Sequence, residues 1–184
     1  MKVEILDLLK EIGNQEEIQI SDIPMLDLYM DQVITLFENK LEKGKRSEKD
    51  KLLTKTMINN YVKDQILMPA KNKRYTPEHL IMMAFIYHLK QTLSINDIKI
   101  LFTETIYKEE IDLFALYNRF LDVKKQEQRQ IEKEVQQKIE ALHIDQSQEI
   151  DIMMMVLSLV SSANTQKRLA EKLIDTYLIK GDIK

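Results

Sequence analysis

Cysteine is absent from the 184-residue chain. That excludes disulfides, thiolate metal sites and cysteine nucleophiles, and it fits a reducing compartment. Glycine and proline are scarce, three of each, so little interrupts a helix. Apolar residues recur mostly at three- and four-residue steps, and the chain is expected to be almost wholly helical. No apolar run approaches the roughly 20 residues of a membrane-spanning helix; the longest, residues 152–160, is interrupted by Ser158. The opening MKVEILDLLKEIG carries acids inside its apolar run and lacks a small-residue cleavage site, so it does not read as a signal peptide. The expectation is a cytoplasmic protein with no membrane partner.

Catalytic motifs are also missing. There is no Gly-rich phosphate loop and no Ser-nucleophile motif. Of the scattered His79, His88 and His143, the first two stand nine residues apart, on opposite faces of one helix, and form no local zinc pair or base–orienter pair. His79 is expected as a polar surface residue in a first helical turn and His88 at the edge of a core helix. Asp145, Glu149 and Asp151 precede or open a helix, where acids serve the macrodipole. No catalytic residue, metal ligand or cofactor is expected, and the chain does not read as an enzyme.

What is present is a lopsided charge distribution. Residues 39–74 hold eleven Lys or Arg against four Asp or Glu, a balance of +7, so with a total of −3 the remainder is −10. Positive charge gathered next to helix-start signals points to an anionic partner at one face.

Along the chain, Val3, Leu6 and Leu9 mark a short amphipathic helix over residues 2–12, ended by Gly13-Asn14. A connector follows to Pro24. Residues 25–43 carry Leu26, Tyr29, Met30, Val33, Leu36, Phe37 and Leu41 at helical steps, stopped by Gly44 and a charged link. Thr54 is an N-cap signal. Behind it Ile58, Tyr61 and Val62 form an apolar face, Lys55, Asn59 and Lys63 a polar row, and Thr56 and Asn60 lie beside that row. Ile66-Leu67-Met68-Pro69 leads into the basic loop Lys71-Asn72-Lys73-Arg74. Thr76-Pro77-Glu78 then starts a helix, apolar nearly all round. Tyr61 and Tyr75 read as packing anchors. Ser94-Ile95-Asn96-Asp97 resembles a capping box. Residues 107–142 read as one long helix, interruptible near Thr105, whose second half keeps only the thin stripe Ile131, Val135, Ile139 and Leu142, suited to a two-helix seam. A last helix spans residues 148–179. Its Met153-Met154-Met155 segment fits three uses: a buried core helix, a dimer interface, or the wall of a pocket for a small apolar effector.

The order of these residues resembles the DNA-binding head of the MerR (mercury-resistance regulator) superfamily. Met57-Ile58-Asn59-Asn60-Tyr61 stands where that head has the end of its recognition helix. Ile66-Leu67-Met68-Pro69 matches the step before the wing, Lys71-Asn72-Lys73-Arg74-Tyr75-Thr76 the basic wing and cap, and Leu93-Ser94-Ile95-Asn96-Asp97-Ile98 the start of a later helix. As a whole the chain is similar to an uncharacterised bacterial domain family that carries this head. Asn59-Asn60 replaces the superfamily's Arg-Tyr, the wing is several residues shorter and lacks its Gly, and the link before Thr54 is long. The cysteines of metal-sensing relatives are absent, so a thiolate sensor is not implied.

The expected fold is all-α. Residues 1–24 form a helix and connector, 25–102 a MerR-like helix-turn-helix head, and 103–184 long helices making a dimerisation or signal-sensing module. The resemblance and the charge together imply a sequence-specific transcription regulator, a homodimer reading a pseudo-palindromic operator in double-stranded DNA. Lys55, Thr56, Asn59, Asn60 and Lys63 would enter the major groove, and Lys71, Lys73 and Arg74 would grip phosphates. The alternative is an all-helical adaptor that binds a protein through the Met-rich last helix.

Overall fold

A helix that is apolar on every side is stable only when enclosed, and LIMMAFIYHL is such a sequence. In the computed structural model, which describes residues 4–108 and 110–179, that helix (α4, Pro77–Leu89) is the centre of the fold, with residues 79–86 all buried. Around it stand α2 (Met30–Leu41) through Val33, Phe37 and Leu41, and α3 (Lys55–Lys63) through Ile58 and Tyr61. The shell is completed by α5 (Ile95–Glu104) through Ile98 and Phe102, and by the first half of α6 (Leu113–Ala141) through Leu113, Tyr117 and Leu121. Enclosing each large apolar side chain contributes roughly 1.5–3 kcal/mol. Tyr117 packs edge-on against Phe85 with ring centroids 5.1 Å apart, and its buried hydroxyl donates to the Ile18 carbonyl at 2.9 Å. The connector after α1 (Ile5–Gly13) is thereby tied to the core, while α1 itself lies along α6.

The architecture is all-α. The only sheet among the described residues is an antiparallel ribbon of β1 (Leu28–Tyr29) and β2 (Arg74–Tyr75), with Leu28 opposite Tyr75 and Tyr29 opposite Arg74. This ribbon corrects the expected start of the second helix at residue 25. Met25 and Leu26 are exposed, and α2 begins only at Met30. In β1 the side chains alternate, Leu28 buried and Tyr29 exposed, which is the period of a strand. Gln32 then accepts the Tyr29 N–H at 2.9 Å and opens the helix. Spacing within one segment cannot reveal a pairing partner 45 residues away.

Several expected boundaries hold. Thr54 caps α3, its hydroxyl oxygen accepting the Met57 N–H at 3.1 Å. Pro77 is the first residue of α4, and Ser94 and Asp97 exchange hydrogen bonds at the start of α5. The long helix starts later than expected. Asp112 Oδ1 accepts the N–H groups of Phe114 and Ala115, each at 3.0 Å, and α6 begins at Leu113, leaving Tyr107 and Ile111 in the connection from α5. Val3 of the first apolar stripe lies outside the described residues.

The last helix, α7 (Glu149–Tyr177), departs most from the core reading. Among its residues only Met155 and Ile174 are buried, so it does not complete a core within one chain. The thin stripe on α6 is partly used internally: Val135 is buried and Ile139 half-buried, while Ile131 and Leu142 stay exposed. α1 lies along this helix, and α7 reaches Ile131 and Val135 through Leu159 and Ala163.

Candidate nucleic-acid interface

An apolar face forces the opposite face of a short helix outward, and α3 obeys this. Ile58 and Tyr61 are buried while Lys55, Thr56, Asn59, Asn60 and Lys63 are all exposed. Its end is fixed without glycine. Gln65 adopts φ 61°, the Gln65 N–H donates to Val62 O at 3.1 Å, and the Ile66 N–H donates to Tyr61 O at 2.9 Å. This is a Schellman closure, with the buried Ile66 returning to the buried Tyr61.

The loop beyond Pro69 is a minimal hairpin. Lys71 and Arg74 exchange both backbone hydrogen bonds, at 3.0 and 2.9 Å, around Asn72 and Lys73, whose φ angles are 51° and 62°. Two successive left-handed residues are what a tight type I′ connection requires, and glycine is the residue usually found there. A lysine in that region costs roughly 1–2 kcal/mol, and here it stands at the hairpin tip. Lys71, Asn72, Lys73 and Arg74 are all exposed.

His79 closes the base of this hairpin, which corrects the expectation of a surface histidine. It is buried; its Nδ1 accepts the Thr76 N–H at 3.1 Å, and its Nε2 lies 3.4 Å from Pro69 O. Those hydrogen bonds put the ring proton on Nε2 and hold the residues before and after the hairpin together. Burial pushes the phenols of Tyr61 and Tyr75 up, which keeps both neutral, as packing anchors should be.

The start of α2 brings helix and hairpin to one place. Asp31 Oδ1 lies 2.7 Å from Lys55 Nζ at the head of α3. Two residues earlier, the Tyr29 hydroxyl accepts from Arg74 Nη2 at 3.1 Å, and its ring carries the guanidinium 5.0 Å from the centroid. Tyr29 and Asp31 are site residues that sequence reasoning misses: the helical reading of residues 25–43 puts Tyr29 on a core stripe, and nothing local marks Asp31.

The +7 segment proves to be divided. Lys40 pairs with Asp22 at 2.7 Å and Lys43 with Glu16 at 2.6 Å, both acids from outside the segment. Lys45, Arg46 and Lys51 of the link gather with Lys90 along an open cleft of about 510 Å³. Lys90 donates to Leu52 O at 2.8 Å, and burial pushes its ammonium down. This cleft lies at the far end of α4 from the hairpin, about 20 Å away at 1.5 Å per residue. Among the described residues no carboxylate pairs with Lys63, Lys71, Lys73 or Arg74, and none with Lys45, Arg46, Lys49 or Lys51, so the unneutralised cations form two groups, one on the hairpin and the end of α3 and one on the link.

His88, Asp145 and Asp151 make contacts within the fold. His88 Nε2 lies 3.2 Å from Glu17 Oε2, and Lys124 pairs with the same carboxylate. Burial alone would push Glu17 up, but the neighbouring His88 and Lys124 outweigh it and hold the carboxyl below its usual range. Asp145 and Asp151 accept backbone N–H groups of Ser147 and Asp145 at 2.8 and 3.0 Å.

A family model described as a domain of unknown function (DUF1836) matches residues 18–120. The chain belongs to that family. No curated protein and no solved structure matches the chain. The DUF1836 match runs from the connector into the first half of α6, so it takes in α3, the hairpin, Tyr29, Asp31 and all of α4. Among the described residues no helix is long and apolar enough to cross a membrane.

Proposed function

We infer that this DUF1836 protein is a sequence-specific DNA-binding transcription regulator of MerR-like type, working in the cytoplasm as a twofold dimer on a pseudo-palindromic site. Residues 25–102 are the reader head, and residues 103–184 pair subunits or receive a signal. The carrying observation is the convergence at the start of α2, where Asp31 holds Lys55 of α3 and Tyr29 holds Arg74 of the hairpin. An exposed polar helix face and a cationic two-residue hairpin thus flank one another, the arrangement a winged reader needs. Asn59 and Asn60 can pair with adenine edges, and the hairpin cations can neutralise phosphates with release of counterions. The Lys55–Asp31 pair is exposed on both sides, so it contributes little to stability and a phosphate can replace the carboxylate.

Polarisation or gel-shift titration with the promoter of its own operon and with random duplex tests this reading. Preferential binding to the promoter at moderate salt is expected; equal, weak binding to both overturns it. The exposed apolar surface of α7 favours a second reading, an all-helical adaptor for a protein partner. Recovery of a stoichiometric partner together with no specific DNA binding would select it. Beside the Met-rich segment, the crevice between Ile131, Val135, Leu159 and Ala163 measures ≈ 140 Å³, small against the roughly 300–1,000 Å³ of ordinary ligand pockets.

A further inference from the structure

The first half of α7 is apolar all round, yet Ile150, Met153, Met154, Val156, Leu157 and Val160 are each exposed by between 47% and 63%. A helix of that composition is stable in water only when a second surface covers it. The inner side of α7 is already occupied: Met155 is buried, Ser162 lines a crevice shared with α6, and the helix also contacts α5. On the opposite side Ile150, Met153, Leu157, Val160 and Asn164 step by three and four, the spacing of a two-helix seam, with one polar residue of the kind that fixes register.

We propose that this face is covered by the same face of a second copy, the two α7 helices running antiparallel about a twofold axis near residues 158–159. Charge distribution selects the occupant and the direction. Glu149 opens α7 beside this face, while Asp151, one helical turn before Met155, turns inward to accept the Asp145 N–H; no Lys or Arg occurs in α7 before Lys167-Arg168, seven and eight residues beyond Val160. An antiparallel pair sets Glu149 of each helix beside Lys167 and Arg168 of the other, whereas a parallel pair stacks like charges. Lys167 is available for this, since Glu171 on its own helix stands 3.7 Å away with both side chains exposed. The interface is self-complementary, as a twofold interface must be: Leu157 meets Val160, and Met153 meets Asn164. The adaptable methionines fill the irregular space between them.

This pairing rests on the twofold dimer proposed above and names its surface; its test contains no DNA, so its failure is distinguishable from a failure of DNA recognition. Sedimentation of the full chain at micromolar concentration should give twice the 21.8 kDa of one chain. The Leu157→Glu variant should sediment as a monomer with unchanged helical circular dichroism, because Leu157 is exposed within one chain. The absence of cysteine makes direction measurable. Mixed Ile150→Cys and Lys167→Cys chains should oxidise to the mixed disulfide, while Ile150→Cys alone should stay uncrosslinked. A wild-type monomer, a Leu157→Glu dimer, or an Ile150→Cys homodisulfide would each overturn the proposal. A monomeric wild type would leave the face to a different protein.

Discussion

Asn59 and Asn60 stand at the middle of the exposed α3 face, and under the proposed function their short amides decide which base edges the helix would pair with. An asparagine that pairs bidentately with adenine contributes about 1–3 kcal/mol of discrimination against a wrong base. Asn59→Ala and Asn60→Ala should therefore relax specificity at one base pair each while leaving random-duplex affinity nearly unchanged, measured by competition titration. The hairpin cations act in the opposite way. Replacing Lys71, Lys73 and Arg74 together by Ala should weaken binding to all duplexes and lower the logarithmic salt slope by about 0.9 for each phosphate no longer neutralised. An unchanged slope would remove the hairpin from the interface. Lys73 separates function from fold within one side chain. At φ 62° a glycine relieves strain, so Lys73→Gly should raise stability by about 1 kcal/mol in denaturant titration while weakening DNA binding. If it destabilises the chain, the hairpin tip is not strained in the way its backbone implies.

At the scale of elements, α3 depends on its cap. Thr54→Ala should cost about 1 kcal/mol of stability, read by urea titration, because the Met57 N–H loses its acceptor. The caps at Thr54 and Ser94 are legible in the sequence, since each is a local signal whose hydrogen bonds close within three or four residues. The polar row on α3 is legible for the same reason: its exposure is decided by helical period alone. What escapes is non-local. Leu28 and Tyr29 satisfy helical spacing, and only their pairing with Arg74 and Tyr75 makes them a strand. His79 has the sequence setting of a first-turn surface residue, but Pro69, ten residues earlier, folds back over it. The net charge of the positive segment overstates its free cations because Glu16 and Asp22, distant in sequence, neutralise Lys43 and Lys40. The thin stripe on α6 has the spacing of an intersubunit seam, although α1 and α7 of the same chain cover part of it.

At the scale of the whole molecule, the long elements are tied to the head through a few polar clasps. Glu17, from the connector, meets His88 of α4 and Lys124 of α6, and Asp22 meets Lys40 of α2. Burial opposes ionisation at both acids, yet Glu17 is held below its ordinary value by His88 and Lys124, and Asp22 by Lys40 and the Gln19 N–H. A carboxyl lowered in the folded state stabilises the fold above its unfolded value and loses that contribution as pH falls through the folded one. Stability should therefore be flat above about pH 5 and decline as pH drops below the unfolded values near 4. Glu17→Gln should shallow that acid limb. At neutral pH it should cost about 1–3 kcal/mol, because Lys124 loses a charged acceptor and His88 an anionic neighbour; an acid limb identical to wild type would remove Glu17 from the clasp.

The function proposed for the whole chain rests on α3 and the hairpin reading a duplex sequence together. Genome-wide capture of DNA by the purified full chain tests this without choosing a site in advance. A small set of fragments sharing a pseudo-palindromic site should be recovered, and that recovery should be lost when Asn59 and Asn60 are both replaced by Ala. Fragments recovered uniformly by the wild-type chain, with no shared site, would contradict it.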